Sequence, residues 1–449
     1  FLAYFIINKA RFNYDNLSIN LKDTKGSLTN VIIKTLGFTY LNPHVYSDTV
    51  FFLGNFSKNF LMIDKLFFGI GASLASFLFF FSCDNNSSII AEIERTVNLY
   101  QNQLVDKKIT GSNTFMLYKD GKIQFSSVVN SGREGDADIT DETIFPIWSM
   151  SKPITIVAMM LLHEDGKYDF NDNVSKYIPN YKNLKCKNED DEIYDCKNEL
   201  KIMHLLTHTS GYRYYSEKPA NFSYADTTFS DLEEYIDSLI MYQPVEFEPG
   251  EKYRYGINQL VLGRLVEVLS GKTFYEFLKE RLFDPLEMNK TKFYLTENDR
   301  KKFQPLYNKS PNGDERQYTA NKDGLTYREE TKMQYGGEGL VSTMSDYSKF
   351  CQMLVNNGDY NGNRIMKKSS IEKMIKPYTI ENMNDGYYDG VDYAFSFFNF
   401  QEPILSGTNA SKVTYVWSVA HNTHLLSGVA QNHRSSREVA HTTRPDCVS

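Results

Sequence analysis

Ser149 and Lys152 stand three residues apart in Phe145-Pro146-Ile147-Trp148-Ser149-Met150-Ser151-Lys152-Pro153. A serine hydroxyl is a poor nucleophile until a neighbouring base takes its proton. A lysine held in a dry site can have its pKa lowered far enough to join in that transfer. The two side chains share a face only if the backbone between them is helical. The sequence supplies that helix: Ile154 to Leu162 is apolar almost without break and Gly166 stops the run, which predicts a buried helix of about three to four turns. Pro153 is compatible because it falls in the first turn, where backbone donors have no helical partner. The helix N-terminus also favours a developing anion at the serine.

The spacing alone is unspecific. Ser370 and Lys373 repeat it within Lys367-Lys368-Ser369-Ser370-Ile371-Glu372-Lys373, where charged neighbours predict a solvated helix face. His204 and His208 are four apart, as metal ligands on one helix face would be, but no Glu stands beside the first as in a zinc-protease helix. The stretch to Gly211 reads as a helix end and a turn. Tyr255, one of 31 tyrosines, lies just ahead of a helix over Asn258 to Leu269 that Ser270-Gly271 ends, and by itself reads as packing. Gly336-Gly337-Glu338-Gly339 lacks the Lys-Ser/Thr of a phosphate loop and reads as a place where the backbone passes close to something.

Further elements frame these residues. Ile89 to Leu104 has helical spacing. Thr114 to Tyr118 and Lys122 to Phe125 flank Asp120-Gly121, a hairpin signal. Helices are predicted over Phe274 to Leu282, before Pro285-Leu286-Glu287-Met288, and over Asp346 to Leu354, with Cys351 in the core. Residues 297–334 are polar without period and read as a surface excursion. In Lys412 to Ala420, Val413, Tyr415, Trp417 and Val419 alternate with smaller or polar residues, a strand with one apolar face. Cys186 and Cys196 bracket an acidic loop. They read as a disulfide, with free thiols as the alternative; the neighbourhood offers no His pair with finger spacing for zinc.

The chain has 449 residues, room for one large domain or two, and a net charge of -7 without a basic stripe, which argues against nucleic acid as a partner. Residues 1–61 begin with Phe1 and contain neither Met nor Glu. They read as a non-native or disordered extension, with a small N-terminal domain as the alternative. Residues 62–83 have the layout of an export signal: Met62-Ile63-Asp64-Lys65, then seventeen uncharged residues from Leu66 to Ser82, then Cys83. This resembles a lipoprotein signal with Cys83 as the lipidated residue; an uncleaved membrane span is the alternative. Residues 84–424 read as the main folded domain. Residues 418–449 contain no Lys, Ile, Phe, Tyr or Met, so 425–449 reads as an aberrant tail in which the domain's last elements are missing or replaced.

The ordered set is far more specific than any member. Ser149-Met150-Ser151-Lys152-Pro153-Ile154-Thr155, Leu205-Leu206-Thr207-His208-Thr209-Ser210-Gly211, Tyr255 ahead of Val261-Leu262-Gly263, Asp284-Pro285-Leu286-Glu287-Met288, Gly336 to Tyr347 and Trp417-Ser418 together resemble the serine β-lactamase/penicillin-binding-protein superfamily. The resemblance is strongest to its class C branch, with family VIII carboxylesterases and D-alanyl-D-alanine carboxypeptidases, and runs from about residue 90 to 424. It implies an α+β, β-lactamase/transpeptidase-like fold. An antiparallel sheet from the N- and C-terminal parts would be flanked by helices, with a mainly helical region between about 150 and 330. It also implies Ser149 as the acylated nucleophile and Lys152 and Tyr255 as proton-transfer partners, either of which takes the first proton. A lysine charge beside a phenol favours the phenolate. The strand Trp417-Ser418-Val419-Ala420 would be the far wall of the cleft, and the backbone N–H groups of Ser149 and Ala420 the oxyanion hole. No metal or organic cofactor is implied.

Three positions depart from the family pattern. Ile257 stands where the lactamases carry the Asn of Tyr-x-Asn, with Asn258 one residue too late. Trp417-Ser418 replaces Lys/His-Thr-Gly and is closer to the esterases' Trp-Gly-Gly. Val419 occupies a glycine position, where a side chain crowds the substrate's path. The expectation is an exported serine hydrolase, periplasmic or cell-surface and membrane-attached through its signal or lipid. It would act through an acyl-enzyme on small esters or amide-like bonds. D-Ala-D-Ala carboxypeptidase or β-lactamase activity is the alternative within enzymes. An inactive module that holds cell-wall peptides or a protein is the alternative outside them, and failure of the chain to fold is a third.

Overall fold

The computed structural model describes residues 86–108, 111–119, 122–133, 136, 138–213, 229–303, 306–309, 315–318, 327–378, 391–400, 414–418 and 426–430. Two compact units divide the chain, Phe1–Ile93 and Glu94–Ser449. In the first, only the opening turns of helix α1 (Asn86–Asp106) are described. The expected extension over 1–61, the signal over 62–83 and Cys83 lie outside the described residues.

In the second unit, Gln101 of α1 is buried against an antiparallel hairpin, β1 (Asn113–Lys119) and β2 (Lys122–Val129). Its backbone carbonyl accepts from Asn113 Nδ2 at 3.5 Å and its side chain from the Ser127 hydroxyl. Strand β3 (Phe145–Pro146) then leads through a 3-10 turn, Trp148–Met150, into α2 (Ser151–Glu164). Twelve of the 14 residues of α2 are buried, so the helix is enclosed on all sides and its polar residues need internal partners.

A mostly helical region follows. Strands β4 (Lys185–Lys187) and β5 (Ile193–Asp195) pair, and Cys186 and Cys196 form a disulfide. Helices α3 (Ile202–Leu206), α4 (Leu232–Tyr242), α5 (Asn258–Ser270) and α6 (Phe274–Leu278) surround the core, with α5 packed on α2, α3, α4 and α6. Gly271 at φ +71° closes α5 in the left-handed conformation that glycine adopts without strain. Thr273 and Glu276 form a capping box at the start of α6. Helix α6 runs into a π turn, Lys279–Phe283, rather than continuing as a helix to Leu282.

The stretch expected as a surface excursion carries structure. Helix α7 (Glu297–Arg300) starts on a Thr296 cap, and β6 (Leu306–Lys309) pairs with β7 (Glu315–Tyr318). Tyr327 packs with Ile144, Leu295 and Val341 in a small second core. A single buried aromatic leaves no periodic trace, which is why the pattern missed it.

Strand β8 (Val341–Ser342) pairs with β3, and α8 (Met344–Val355) follows. A short hairpin of β9 (Asp359–Tyr360) and β10 (Asn363–Arg364) precedes α9 (Lys368–Ile375). The Ser370/Lys373 repeat lies on α9, and the expectation of a solvated face is corrected for Ser370. Its side chain is buried beside Ile371 and Met374, while Lys373 reaches out to His163 Nε2 at 3.4 Å. The two side chains diverge and make no pair.

Four antiparallel strands close the unit in the order β11 (Val391–Tyr393), β12 (Phe398–Phe400), β13 (Thr414–Ser418), β14 (Leu426–Ala430). The sheet runs past the expected boundary at 424, because β14 pairs with β13 over its whole length. Among the described residues this sheet and the β1–β2 hairpin are hydrogen-bonded separately, and α8 rests against both.

Candidate active site

Trp148 takes φ +37°, a left-handed conformation that a bulky residue adopts only when its surroundings compel it. The compulsion comes from both flanks of the serine turn. Before it, Phe145 and Pro146 pair with Ser342 and Val341, and Ile147 N donates to Leu340 O at 3.0 Å. After it, the Tyr347 hydroxyl donates to Met150 O at 3.0 Å and Leu340 N donates to Ser151 Oγ at 3.2 Å. The 3-10 turn thereby presents Ser149 at the mouth of α2 rather than inside it.

Ser149 Oγ receives two hydrogen bonds, from Lys152 Nζ at 3.1 Å and from the Tyr255 hydroxyl at 3.0 Å. Lys152 Nζ also donates to Gly337 O at 2.8 Å and lies 5.0 Å from the centroid of the Tyr255 ring. The structure thus brings Ser149, Lys152 and Tyr255 together, the set that the family resemblance implies, although Tyr255 by itself reads as packing. Burial pulls the Lys152 ammonium from the ordinary 10.5 down to about 8, and the Glu338 carboxylate opposes that pull. Burial raises the Glu338 carboxyl while the Lys152 charge works against it.

The glycine-rich stretch explains itself here. A Cβ at Gly336 would lie 2.4 Å from Gln259 O and 2.9 Å from Thr155 Oγ1. Only glycine lets this backbone come close enough for Gly336 O to accept from Thr155 Oγ1 at 2.6 Å and Gly337 O from Lys152. The stretch is a backbone cradle for the lysine.

The two histidines separate. His204 Nδ1 accepts from Lys201 N at 3.3 Å at the start of α3, and burial lowers its pKa to about 4. His208 lies beyond the helix at φ +56°, fully buried, its ring stacked on that of Tyr255. Asn258, one residue late for the lactamase pattern, is also fully buried and turned to Ser210 Oγ and His208 Nδ1, while Ile257 stands in the preceding position, 5% exposed.

Trp417 and Ser418 belong to β13, which lies against the 3-10 turn of Ser149. Val419 and Ala420, the latter expected as the second oxyanion donor, lie outside the described residues. Among the described residues, Cys186, Cys196 and Glu248 cluster as potential metal ligands. However, the sulfurs are joined to each other, and Glu248 accepts from the Lys197 and Asn198 backbone N–H groups. That donor set offers no thiolate to a metal.

Two contacts of the cluster have no local signature beyond a charge among close-packed glycines and a histidine in Leu205 to Gly211: the Glu338 carboxyl that acts on Lys152, and the His208 ring stacked on Tyr255.

The fold is the α+β arrangement of the β-lactamase/transpeptidase class. A family model described as Beta-lactamase matches residues 101–422, and the chain belongs to that family. The teichoic acid D-alanine hydrolase of Staphylococcus aureus is 25% identical over 343 residues, covering 75% of this chain and 74% of that protein. The solved structure titled EstCE1, a hydrolase with promiscuous acyltransferase activity, has a TM-score of 0.61 at 21% identity and covers 74% of this chain and 89% of its own. The octameric penicillin-binding protein homologue from Pyrococcus abyssi gives 0.54 at 21% identity, covering 75% and 72%. These two likenesses show the fold. A second family model, described as LysE type translocator, matches residues 1–107.

Proposed function

We propose that this chain is a serine hydrolase that cleaves small carboxylic esters through an acyl-enzyme on Ser149. The observation that carries the reading is the convergence of Lys152 Nζ and the Tyr255 hydroxyl on Ser149 Oγ, with the lysine pKa near 8. An ammonium has no lone pair, so the serine proton moves only when Lys152 or Tyr255 has first lost its own. At pH 7 a lysine with that pKa is neutral in about one molecule in ten. Ser149 Oγ then bonds to the ester carbonyl carbon as its proton passes to the pair. The alkoxide leaves with a proton returned by the pair, and water repeats the sequence on the acyl-enzyme.

Two features support esters over β-lactams. Ile257 replaces the lactamase amide, and Asn258 is spent on Ser210 and His208. The titles of EstCE1 and of the staphylococcal relative name hydrolases, which supports hydrolysis as the reaction class. The same proposal places the protein in the exported or membrane-attached fraction, with Ser149 acting outside the cytoplasm. It is supported by the Cys186–Cys196 disulfide, the apolar run before Cys83 and the likeness of residues 1–107 to a translocator. Among the described residues no helix is long and apolar enough to cross a membrane.

Intact mass of the full chain after a fluorophosphonate probe tests the reading, beside Ser149→Ala. One adduct, absent from the variant, is expected, followed by turnover of p-nitrophenyl acetate above that of nitrocefin or a peptide ending in two D-alanines. No adduct on folded protein refutes an activated Ser149.

A further inference from the structure

Tyr255 reaches Ser149 only because something fixes both its ring and the backbone on either side of it, and His208 touches all three. The two rings are parallel within 3°, with centroids 5.0 Å apart. Arg254 N donates to His208 O at 2.8 Å, and Gly256 N donates to His208 Nδ1 at 3.1 Å. Gly256 is also packed closely on the Tyr212 backbone, where a Cβ would lie 2.0 Å from Tyr212 O. We propose that His208 is a positioning residue that holds the Tyr255 phenol on Ser149, with its ring as the platform and its backbone and Nδ1 as clamps.

The chemistry requires a neutral imidazole of one tautomer. The Gly256 N–H is an obligate donor, so Nδ1 carries the lone pair and Nε2 the proton. Gln259 Nε2 lies 2.8 Å from His208 Nε2 and donates to Ser396 Oγ, while the buried Gln259 Oε1 has no partner. A proton on His208 Nε2 therefore requires the amide turned over, with its oxygen in that place accepting from both His208 Nε2 and Ser396 Oγ. An imidazolium would set one N–H against another. Burial, and then the Lys152 charge, keep the ring neutral by holding its pKa well below the ordinary value. Among aromatic side chains, only a neutral imidazole joins a flat ring face to an acceptor on one edge and a donor on the other.

The inference rests on Tyr255 handling the Ser149 proton. The test is p-nitrophenyl acetate hydrolysis by the full chain carrying His208→Asn, which keeps an acceptor and loses the platform. It is run in the natural and the Tyr255→Phe backgrounds, with melting curves alongside. The expected result is a kcat about 10- to 100-fold lower with KM within about twofold, as for a misplaced catalytic group. Tyr255→Phe should already be slow, and the second substitution should add nothing to it. Losses that multiply in the double variant, or an unchanged kcat in the single one, overturn the proposal. If His208→Asn does not melt cooperatively, His208→Phe decides by the same non-additivity, and unfolding of both makes His208 a fold determinant only and ends the proposal. Full activity in Tyr255→Phe instead sinks the tyrosine's role, and this inference with it, while activity in Ser149→Ala sinks the hydrolase reading.

Discussion

Lys152→Met should abolish activity and remove a pH-dependent contribution from the protein's stability. The lysine is fully buried, and its pKa falls from 10.5 to about 8 because the interior disfavours the ammonium. At 1.36 kcal/mol per pH unit, the charged form costs about 3 kcal/mol that the unfolded chain does not incur. Methionine fills a similar volume without charge but leaves Gly337 O without the lysine's hydrogen bond, which costs about 1–3 kcal/mol. The buried Glu338 carboxyl also loses the charge that opposes its desolvation, a further cost of the substitution, so the opposing terms at pH 7 largely cancel. The pH dependence is the sharper signature. Below pH 8 both states bind the lysine proton, and the penalty is complete. Between pH 8 and 10.5 the native state has released a proton that the unfolded state still holds, so the natural chain gains stability as pH rises. The gain approaches about 1.4 kcal/mol per pH unit and ends above 10.5. The variant lacks that slope, so urea denaturation from pH 7 to 11 should show the natural chain gaining stability relative to the variant between pH 8 and 10.5. Parallel curves would mean that Lys152 titrates in the fold as it does outside it, and the argument for a lysine base would fail. In Glu338→Gln the anion that favours the ammonium is gone. The window should then open at lower pH, and so should the acid limb of kcat/KM.

Three further outcomes follow from the same geometry. Gly336→Ala drives a Cβ to 2.4 Å from Gln259 O and displaces the lysine cradle. It should cost about 1–3 kcal/mol in denaturation and lower kcat about tenfold or more through the moved Lys152. Reducing the disulfide between Cys186 and Cys196, ten residues apart, should lower stability by about 3 kcal/mol, read as a lower urea midpoint in dithiothreitol. Burial pushes the Cys351 thiol up to about 12, so iodoacetamide should leave it unmodified until the protein unfolds, as peptide mapping will show.

Patterns carried by continuous runs are legible in the sequence. The apolar block from Ile154 to Leu162 marks α2, Asp120-Gly121 the β1–β2 hairpin, and Ser270-Gly271 the end of α5. Each is a local consequence of side-chain type on backbone preference, so a short window suffices. The order of the motifs from Ser149 to Trp417 places the chain in its family, because that order records a whole architecture.

What a short window cannot contain is contact between distant segments. Tyr255 is 106 residues from Ser149, and Gly337 is 185 residues from Lys152. A tyrosine that packs and one that reaches a serine have the same local sequence. The difference lies in the clamps at Arg254 and Gly256, which exist only once His208 is folded beneath the ring. Likewise Ser370 and Lys373 repeat the spacing of Ser149 and Lys152 but diverge, because α9 buries one face and α2 is buried all round. Residue types and the buried helix that carries Lys152 follow from the chain alone, whereas the turn that sets Ser149 at its mouth is held by Leu340 and Tyr347. Tertiary structure alone decided the dry cradle at Gly336–Gly337, the carboxylate at Glu338 and the neutral imidazole under Tyr255. Desolvation and electrostatics are properties of the assembled surroundings, and no stretch of chain has them on its own.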